Sequence, residues 1–286
     1  MPKFILSAFA DEAGKPLAAQ INALQRNKIG YMEIRTVDGK NVSDLTNGEA
    51  KDVRAALDAA DIRVKTVGSA IGKINITDDL APHIDKLKHT LEIANILGAE
   101  RLRMFSFFLP AGSAEIYRDD VMERMDRMLD AAKGSGVTFY HENEKGIYGD
   151  TLARVRDLID TFGERMRFIF DPANFLQCGE RPAEIYPALA KDIAYFHIKD
   201  AVFETGTVVP AGEGDGGIPD ILAAHAATAD GTMLTVEPHL KIFSGFGDMR
   251  GMNEAETARF KDNDTAFDTA VTSLKNILER EGLSYE

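Results

Sequence analysis

Four short apolar runs in this chain each end on a side chain that can bind a metal or carry a proton. Val137-Thr138-Phe139-Tyr140 runs into His141-Glu142-Asn143-Glu144, and Phe168-Ile169-Phe170 runs into Asp171. Ala194-Tyr195-Phe196 runs into His197, and Met233-Leu234-Thr235-Val236 into Glu237. Each run has the length and residue types of a buried strand. If the four are parallel neighbours, Glu142, Asp171, His197 and Glu237 meet at one mouth. Three carboxylates and an imidazole suit a hard divalent ion: Mn²⁺ first, with Mg²⁺, Co²⁺ or Zn²⁺ as alternatives. Without a cation, three carboxylates in one pocket would repel and raise one another's pKa. Taken singly, an acid at a strand end is commonly a solvated loop residue, and a lone histidine a satisfied half-buried one. Four in succession ask for a common explanation.

The elements that must position these residues can be read in order. Strands are expected at residues 4–9, 31–35, 62–67, 101–107, 137–142, 167–170, 194–196 and 233–236. Helices are expected at 17–27, 47–60, 79–97, 114–133 and 152–161, then from Pro182, from Pro219 and over 253–281. Gly30 and Gly98 are read as helix stops, and Asp150-Thr151 as the cap pair of the helix at 152. Proline is tolerated in a helix's first turn, as at Pro182 and Pro219. Eight strands alternating with helices predict an α/β fold, a single (β/α)₈ TIM barrel over residues 1–286. Side chains alternate along a strand. Glu142 is therefore expected to share a face with Tyr140, Asp171 with Ile169, His197 with Tyr195, and Glu237 with Thr235. No low-complexity linker and no fixed-period repeat interrupts the chain.

With 286 residues, 44% of them apolar, the chain can build one large core. A formal net charge of −13 opposes binding to nucleic acid. Cys178 is the single cysteine, so no internal disulfide can form, which fits a reducing compartment. The sequence shows no basic region followed by an apolar run at its start. It also shows no stretch of about 20 apolar residues. A soluble cytoplasmic protein without a membrane segment is expected.

The segments His141-Glu142-Asn143-Glu144, Phe170-Asp171-Pro172-Ala173-Asn174, His197-Ile198-Lys199-Asp200, Ala211-Gly212-Glu213-Gly214-Asp215-Gly216 and Val236-Glu237-Pro238-His239 resemble the xylose-isomerase-like superfamily of metal-dependent TIM barrels, the sugar isomerases and epimerases. The resemblance runs from the first strand to the eighth. It implies one divalent ion held by Glu142, Asp171, His197 and Glu237, and proton transfer beside a carbonyl of a sugar or polyol. Glu142 and Glu237 are then the catalytic acid and base, as in ketose 3-epimerases of the superfamily. The relatives are often dimers or tetramers, so a homo-oligomer is implied as well.

Departures separate the chain from the best-known ketose 3-epimerases but leave the metal set intact. The best-known ketose 3-epimerases place a histidine three residues after the metal-binding aspartate, where this chain has Asn174. They place an arginine six residues after the metal-binding histidine, where Phe203 stands, and a glutamate six residues after the first ligand, where Tyr148 stands. Lys199 would point into the pocket by parity, as in inosose-dehydratase-like relatives. The superfamily thus also implies a dehydratase or lyase as the rival enzyme, and a non-catalytic sugar-binding barrel as a rival of another class. An endonuclease for abasic DNA on the same barrel needs early-strand histidines that are missing here. Lys199, Asn174, Arg103 and Lys73 are the candidate substrate-binding residues. The loop from Gly212 to Gly217 is read as a turn shaping the mouth. Its neighbours Glu204, Glu213 and Asp215 oppose phosphate, which favours an unphosphorylated polyol. His83 and His89 read as surface residues, His225 as helical filler, and His239 as a residue lining the site.

Overall fold

The apolar runs become strands because each can turn one face into a barrel and lay the other under a helix. The computed structural model describes residues 3–241 and 260–286. The barrel strands are β1 (Phe4–Ala8), β2 (Tyr31–Ile34), β3 (Arg63–Ile71), β4 (Arg101–Met104), β5 (Thr138–Glu142), β6 (Met166–Phe170), β7 (Ile193–Ile198) and β8 (Thr232–Val236). They close in the order β1-β8-β7-β6-β5-β4-β3-β2, with every neighbouring pair parallel. Two small hairpin pairings lie outside the barrel, one joining Thr36–Val37 to Lys40–Asn41, the other Asp200–Ala201 to Val208–Val209.

The helices are α1 (Leu17–Arg26), α2 (Asn47–Ala59), α3 (Leu80–Leu97), α4 (Ala114–Ala131), α5 (Leu152–Phe162), α6 (Pro172–Gln177), α7 (Pro182–Leu189), α8 (Ile218–Ala226) and α9 (Asn263–Arg280). Local sequence explains several ends. A reciprocal box opens α2: Glu49 N–H donates to Thr46 Oγ1 and Thr46 N–H to the Glu49 carboxylate. α3 starts at an Asp79 cap and stops at Gly98, whose φ of 73° suits glycine. Its buried residues include Leu80, His83, Leu87, Leu91, Ala94 and Leu97, the three-to-four spacing of a helix lying on a sheet.

Apolar packing is split by the sheet. A large cluster fills the space between strands and helices. Inside the barrel, Ile169, Tyr195 and Met233 pack with Tyr140. The Arg101 guanidinium closes this inner layer, 5.4 Å from the Tyr140 ring and 5.7 Å from the Tyr195 ring. The alternation expected from the sequence is therefore realised, with Tyr140, Ile169 and Tyr195 in the interior beneath the strand ends. No helix among the described residues is long and apolar enough to cross a membrane.

Some boundaries differ from expectation for physical reasons. β3 continues through Gly68-Ser69-Ala70 to Ile71, because Ser69 Oγ donates to Arg103 O and keeps the strand beside β4. β4 stops at Met104. The left-handed turn after α1 falls on Lys28, φ 54°, instead of Gly30. Thr151 precedes α5 but gives no side-chain cap; Glu180 accepts from Leu152 N–H in its place. The short α6 was not expected. Asp171 caps it and Pro172 occupies its first turn. The final helix begins at Asn263, and the portion expected before residue 260 lies outside the described residues.

Candidate metal centre

The four strand-end residues do converge. Glu142, Asp171, His197 and Glu237 are all buried, and each offers a ligand atom within 4.8 Å of the others'. Their backbones arrive together for local reasons. Asn143, next to Glu142, exchanges two hydrogen bonds with the Asp171 backbone, both 2.9 Å. That pair ties the end of β5 to the end of β6. Asn174 sits in the first turn of α6. Its N–H donates to Asp171 Oδ1 at 2.9 Å, and its side-chain amide donates to Asn143 O at 2.8 Å and Glu142 Oε1 at 3.3 Å.

His197 Nδ1 faces the mouth, 2.9 Å from Glu142 Oε1 and 3.6 Å from Glu237 Oε2. Its Nε2 points down the barrel to Glu33 Oε2 at 3.2 Å. Metal-binding histidines commonly place the second ring nitrogen against a carboxylate in this way. Asp171 Oδ2 is buried and accepts no hydrogen bond, although Lys199 Nζ lies 2.8 Å away.

Cations surround the cluster. Lys199 Nζ is also 3.2 Å from Glu237 Oε2, so it belongs to the pocket, and its ion pairs are with two of the four residues themselves. Arg103 Nη1 donates to Glu142 Oε2 at 3.0 Å, while the rest of its guanidinium donates to Ser69 O and Gly68 O. Lys73 stays at the half-exposed rim, paired with Glu144 at 2.8 Å and 4.2 Å from the Phe105 ring centroid. The candidate substrate residues therefore divide. Lys199, Arg103 and Asn174 touch the cluster, and Lys73 does not.

The other side of the mouth was missed from sequence. Arg35 donates to both oxygens of Asp11, to Glu12 Oε1 at 3.0 Å and to Glu237 Oε1 at 3.2 Å. His239 Nε2 lies 3.2 Å from Glu237 Oε1 and 3.4 Å from Glu12 Oε1, so it does line the site. Glu12, Glu237 and His239 form a second group with metal-ligand spacing, but the Arg35 guanidinium already lies against both glutamates. Phe9 packs edge-on to His197 at 5.1 Å, beneath the guanidiniums of Arg35 and Arg103. A signal existed: Glu33 and Arg35 are two charged residues on one face of an otherwise apolar run, and a charged inner face of a barrel strand must find partners.

Three further expectations resolve. His83 is buried, contrary to a surface role; its Nε2 accepts from Gly72 N–H at 2.8 Å, and burial pushes its pKa down. His225 fills space against Tyr186 and Phe196. The glycine-rich loop is more than a turn. The N–H groups of Gly212, Gly214 and Gly216 converge on the Asp200 carboxylate, so the chain's own acid fills the anion cradle. A side chain at Gly214 or Gly216 would collide with Asp200.

The charge balance of the pocket leaves room for a cation. Asp11, Glu12, Glu33, Glu142, Asp171 and Glu237 are buried together with the fixed cations Arg35, Arg103 and Lys199. Burial alone would raise Glu142, but His197 and Arg103 outweigh it and hold the carboxyl down at about 2. Asp171 goes the other way, pushed up to about 7 by burial despite Lys199. For His197, burial opposes the charge, yet Glu142 and Glu33 carry the ring up to about 10. Glu237 is held well below the usual range because Lys199 and His239 outweigh its burial. A buried carboxyl that burial pushes towards its neutral form, set among further buried acids, fits a divalent cation among these four donors.

Residues 21–280 match the profile described as xylose isomerase-like TIM barrel. No curated protein matches the chain. Among solved structures, an IolI protein with a bound zinc atom superposes with TM-score 0.73 at 15% identity, covering 98% of this chain and 99% of that one. The probable 3-DHS dehydratase AsbF from Bacillus anthracis gives 0.70 at 14%, covering 96% and 99%. A D-allulose 3-epimerase from Methylomonas sp., in complex with D-allulose, gives 0.69 at 16%, covering 98% of each chain. At these identities the likeness is one of fold, and it extends over the whole barrel. With the profile spanning nearly the full length, the chain belongs to the xylose isomerase-like TIM barrel family.

Proposed function

We propose that this protein is a divalent-metal-dependent isomerase or epimerase of a sugar or polyol, and that it works by proton transfer beside a carbonyl. The observation that carries this reading is the convergence of the Glu142, Asp171, His197 and Glu237 ligand atoms within 4.8 Å, buried at the barrel mouth. Mn²⁺ is the first choice of ion, because three carboxylates outnumber the single imidazole. A divalent ion bound there supplies Lewis acidity towards a substrate carbonyl and its neighbouring hydroxyl.

The chain's own residues do the rest. Glu142 and Glu237 come from β5 and from the end of β8, two separate walls of the mouth. One carboxylate takes the proton from carbon, and the other, entering the cycle protonated, delivers its proton to the enediolate, so the two exchange protonation states over a turnover. Return to the opposite face of the same carbon inverts it; return to the adjacent carbon interconverts aldose and ketose. Arg103 and Lys199 hold positive charge where the enediolate oxygens of the substrate would form. Phe9 and Phe105, both fully buried, keep water from the rear of the pocket. The same abundance of acid disfavours a phosphorylated substrate and nucleic acid.

Substrate turned over in D₂O takes up deuterium at the reacting carbon. Glu142→Gln and Glu237→Gln keep the size of each side chain but remove the base, so turnover falls by about 10² to 10⁴. Near wild-type turnover in both variants sinks the two-carboxylate mechanism.

One observation favours a second reading. Lys199 Nζ lies 2.8 Å from Asp171 and 3.2 Å from Glu237, and these acids hold it as an ammonium whose fixed positive charge would favour a departing hydroxyl. A dehydratase on this barrel would use it so. Mass spectrometry of the product separates the two: isomerisation conserves mass, and dehydration gives a product lighter by one water.

A further inference from the structure

Glu33 takes no part in the proton transfer described above, yet its carboxylate is fully enclosed in the barrel beneath the mouth, at 0% exposure. Three side chains from two strands converge on it. From β7, the Tyr195 hydroxyl donates, 3.2 Å from Oε1 and 3.3 Å from Oε2. From β8, Thr235 Oγ1 donates to Oε2 at 3.0 Å. From β7 again, His197 Nε2 lies 3.2 Å from the same Oε2. Glu33 itself comes from β2, so its side chain ties β2 to strands on the far side of the β1–β8 seam.

We propose that Glu33 is a positioning residue: it holds the Nε2–H of His197 downward and so aims Nδ1 at Glu142, Asp171 and Glu237. The inference rests on the metal reading given above. An imidazole that donates a lone pair from one nitrogen must carry its proton on the other. A carboxylate that accepts that proton fixes both the ring orientation and the choice of nitrogen, and makes the ring a better donor. Burying a carboxylate so deeply is costly unless its oxygens are hydrogen-bonded, and Tyr195, Thr235 and His197 meet that need. The ring also has little freedom to turn away, with Phe9 at 5.1 Å and the Tyr195 ring at 5.5 Å.

In Glu33→Gln the volume is kept and the charge is lost. If the amide nitrogen turns towards Nε2, the proton is driven to Nδ1, where it blocks the ligand position. Two measurements on the full-length protein test the proposal. The first is Zn²⁺ and Mn²⁺ affinity by calorimetry for wild type, Glu33→Gln and Glu33→Ala, with Asp171→Ala as the reference for a lost ligand. The second is NMR of the His197 ring, following the Nε2–H resonance. The expected result is one ion per chain bound about 10- to 100-fold more weakly in Glu33→Gln. The His197 Nε2–H should be downfield and exchange-protected in wild type, and shifted upfield or lost in the variant. Glu33→Ala should weaken binding at least as much; if it does not fold, Glu33→Gln decides alone. Unchanged affinity together with an unchanged Nε2–H resonance in Glu33→Gln overturns the proposal. If wild type binds no divalent ion, the metal reading fails, and the resonance still decides whether Glu33 orients the ring: its dependence on Glu33 supports the positioning role, and its independence refutes it.

Discussion

The two sides of the barrel mouth are built on different principles. On the β5–β8 side, each candidate ligand stands at or just beyond the C-terminal end of its own strand, and residues at these same strand ends brace the Glu142–Asp171 pair. Asn143 braces Asp171, and Asp171 caps the helix that carries Asn174. On the β1–β4 side, Asp11, Glu12, Glu33, Arg35 and Arg103 offer nothing beyond charge and hydrogen bonds to residues far away in the chain. Arg35, for example, reaches Glu237 across 202 positions. One side presents donors and the other balances their charge. Changes on the first should therefore show in metal binding and chemistry. On the second, loss of a balancing charge such as Arg35 should show first in stability, while Glu33 and Phe9, which contact the His197 ring, should also show in metal binding.

Arg35→Met is the strongest way to break this division. It leaves Asp11, Glu12 and Glu237 buried with one cation fewer, which costs about 3–5 kcal/mol in the metal-free protein. A divalent ion beside Glu237 should restore part of that loss. Chemical denaturation with and without Mn²⁺ measures both effects, and unchanged metal-free stability would show that the β1–β4 side is not needed for balance.

Gly68→Ala should act more weakly. Its new Cβ would stand 2.6 Å from Phe9 Cε1, and Phe9 has no exposed face to move into. Overpacking of this kind costs about 1–3 kcal/mol. Because Phe9 packs on His197, metal affinity should fall along with stability. A stability loss with no change in affinity would mean that Phe9 does not transmit to the ring.

The smallest effect concerns Cys178, the residue that follows α6 on the ligand side. Burial pushes its thiol up to about 12, so the thiolate is scarce until pH rises towards that value. Alkylation by iodoacetamide at pH 8 should be much slower than for an unfolded control and should speed up as pH rises. Modification should leave bound metal in place. Fast alkylation at pH 8 would show that partial burial does not raise the thiol as described.

How far each part could be read from sequence follows from the same division. Glu142, Asp171, His197 and Glu237 were legible because a run of strand residues ends on each of them, and parity alone placed Tyr140, Ile169 and Tyr195 on their faces. Lys199 was legible by parity too, although its partners were not. Glu33 and Arg35 were overlooked because an acid and a base two apart in a strand look solvent-facing until the barrel closes around them. The α5 cap went to Glu180, 28 residues from Leu152, a competition that no local pattern displays. The Asp171-Pro172 pair did announce α6, since an N-cap acid followed by a first-turn proline is a helix start. That signal was masked by reading Asp171 only as a ligand. His83 reads as a surface residue from its place on an amphipathic helix, whereas the bend at Gly72 supplies a backbone N–H that donates to its buried ring. A side chain at Gly72 would collide with the Phe105 carbonyl, so the bend itself depends on that glycine.

The claim at the centre of this account is that Glu142, Asp171, His197 and Glu237 hold one divalent ion. Its most direct test is elemental analysis of purified protein after equilibration with Mn²⁺ and removal of free ion, for wild type and for Asp171→Ala. The account predicts about one ion per chain in wild type, and none retained in Asp171→Ala with the fold intact by circular dichroism. Full retention of the ion in Asp171→Ala, or none in wild type under any divalent metal, contradicts it.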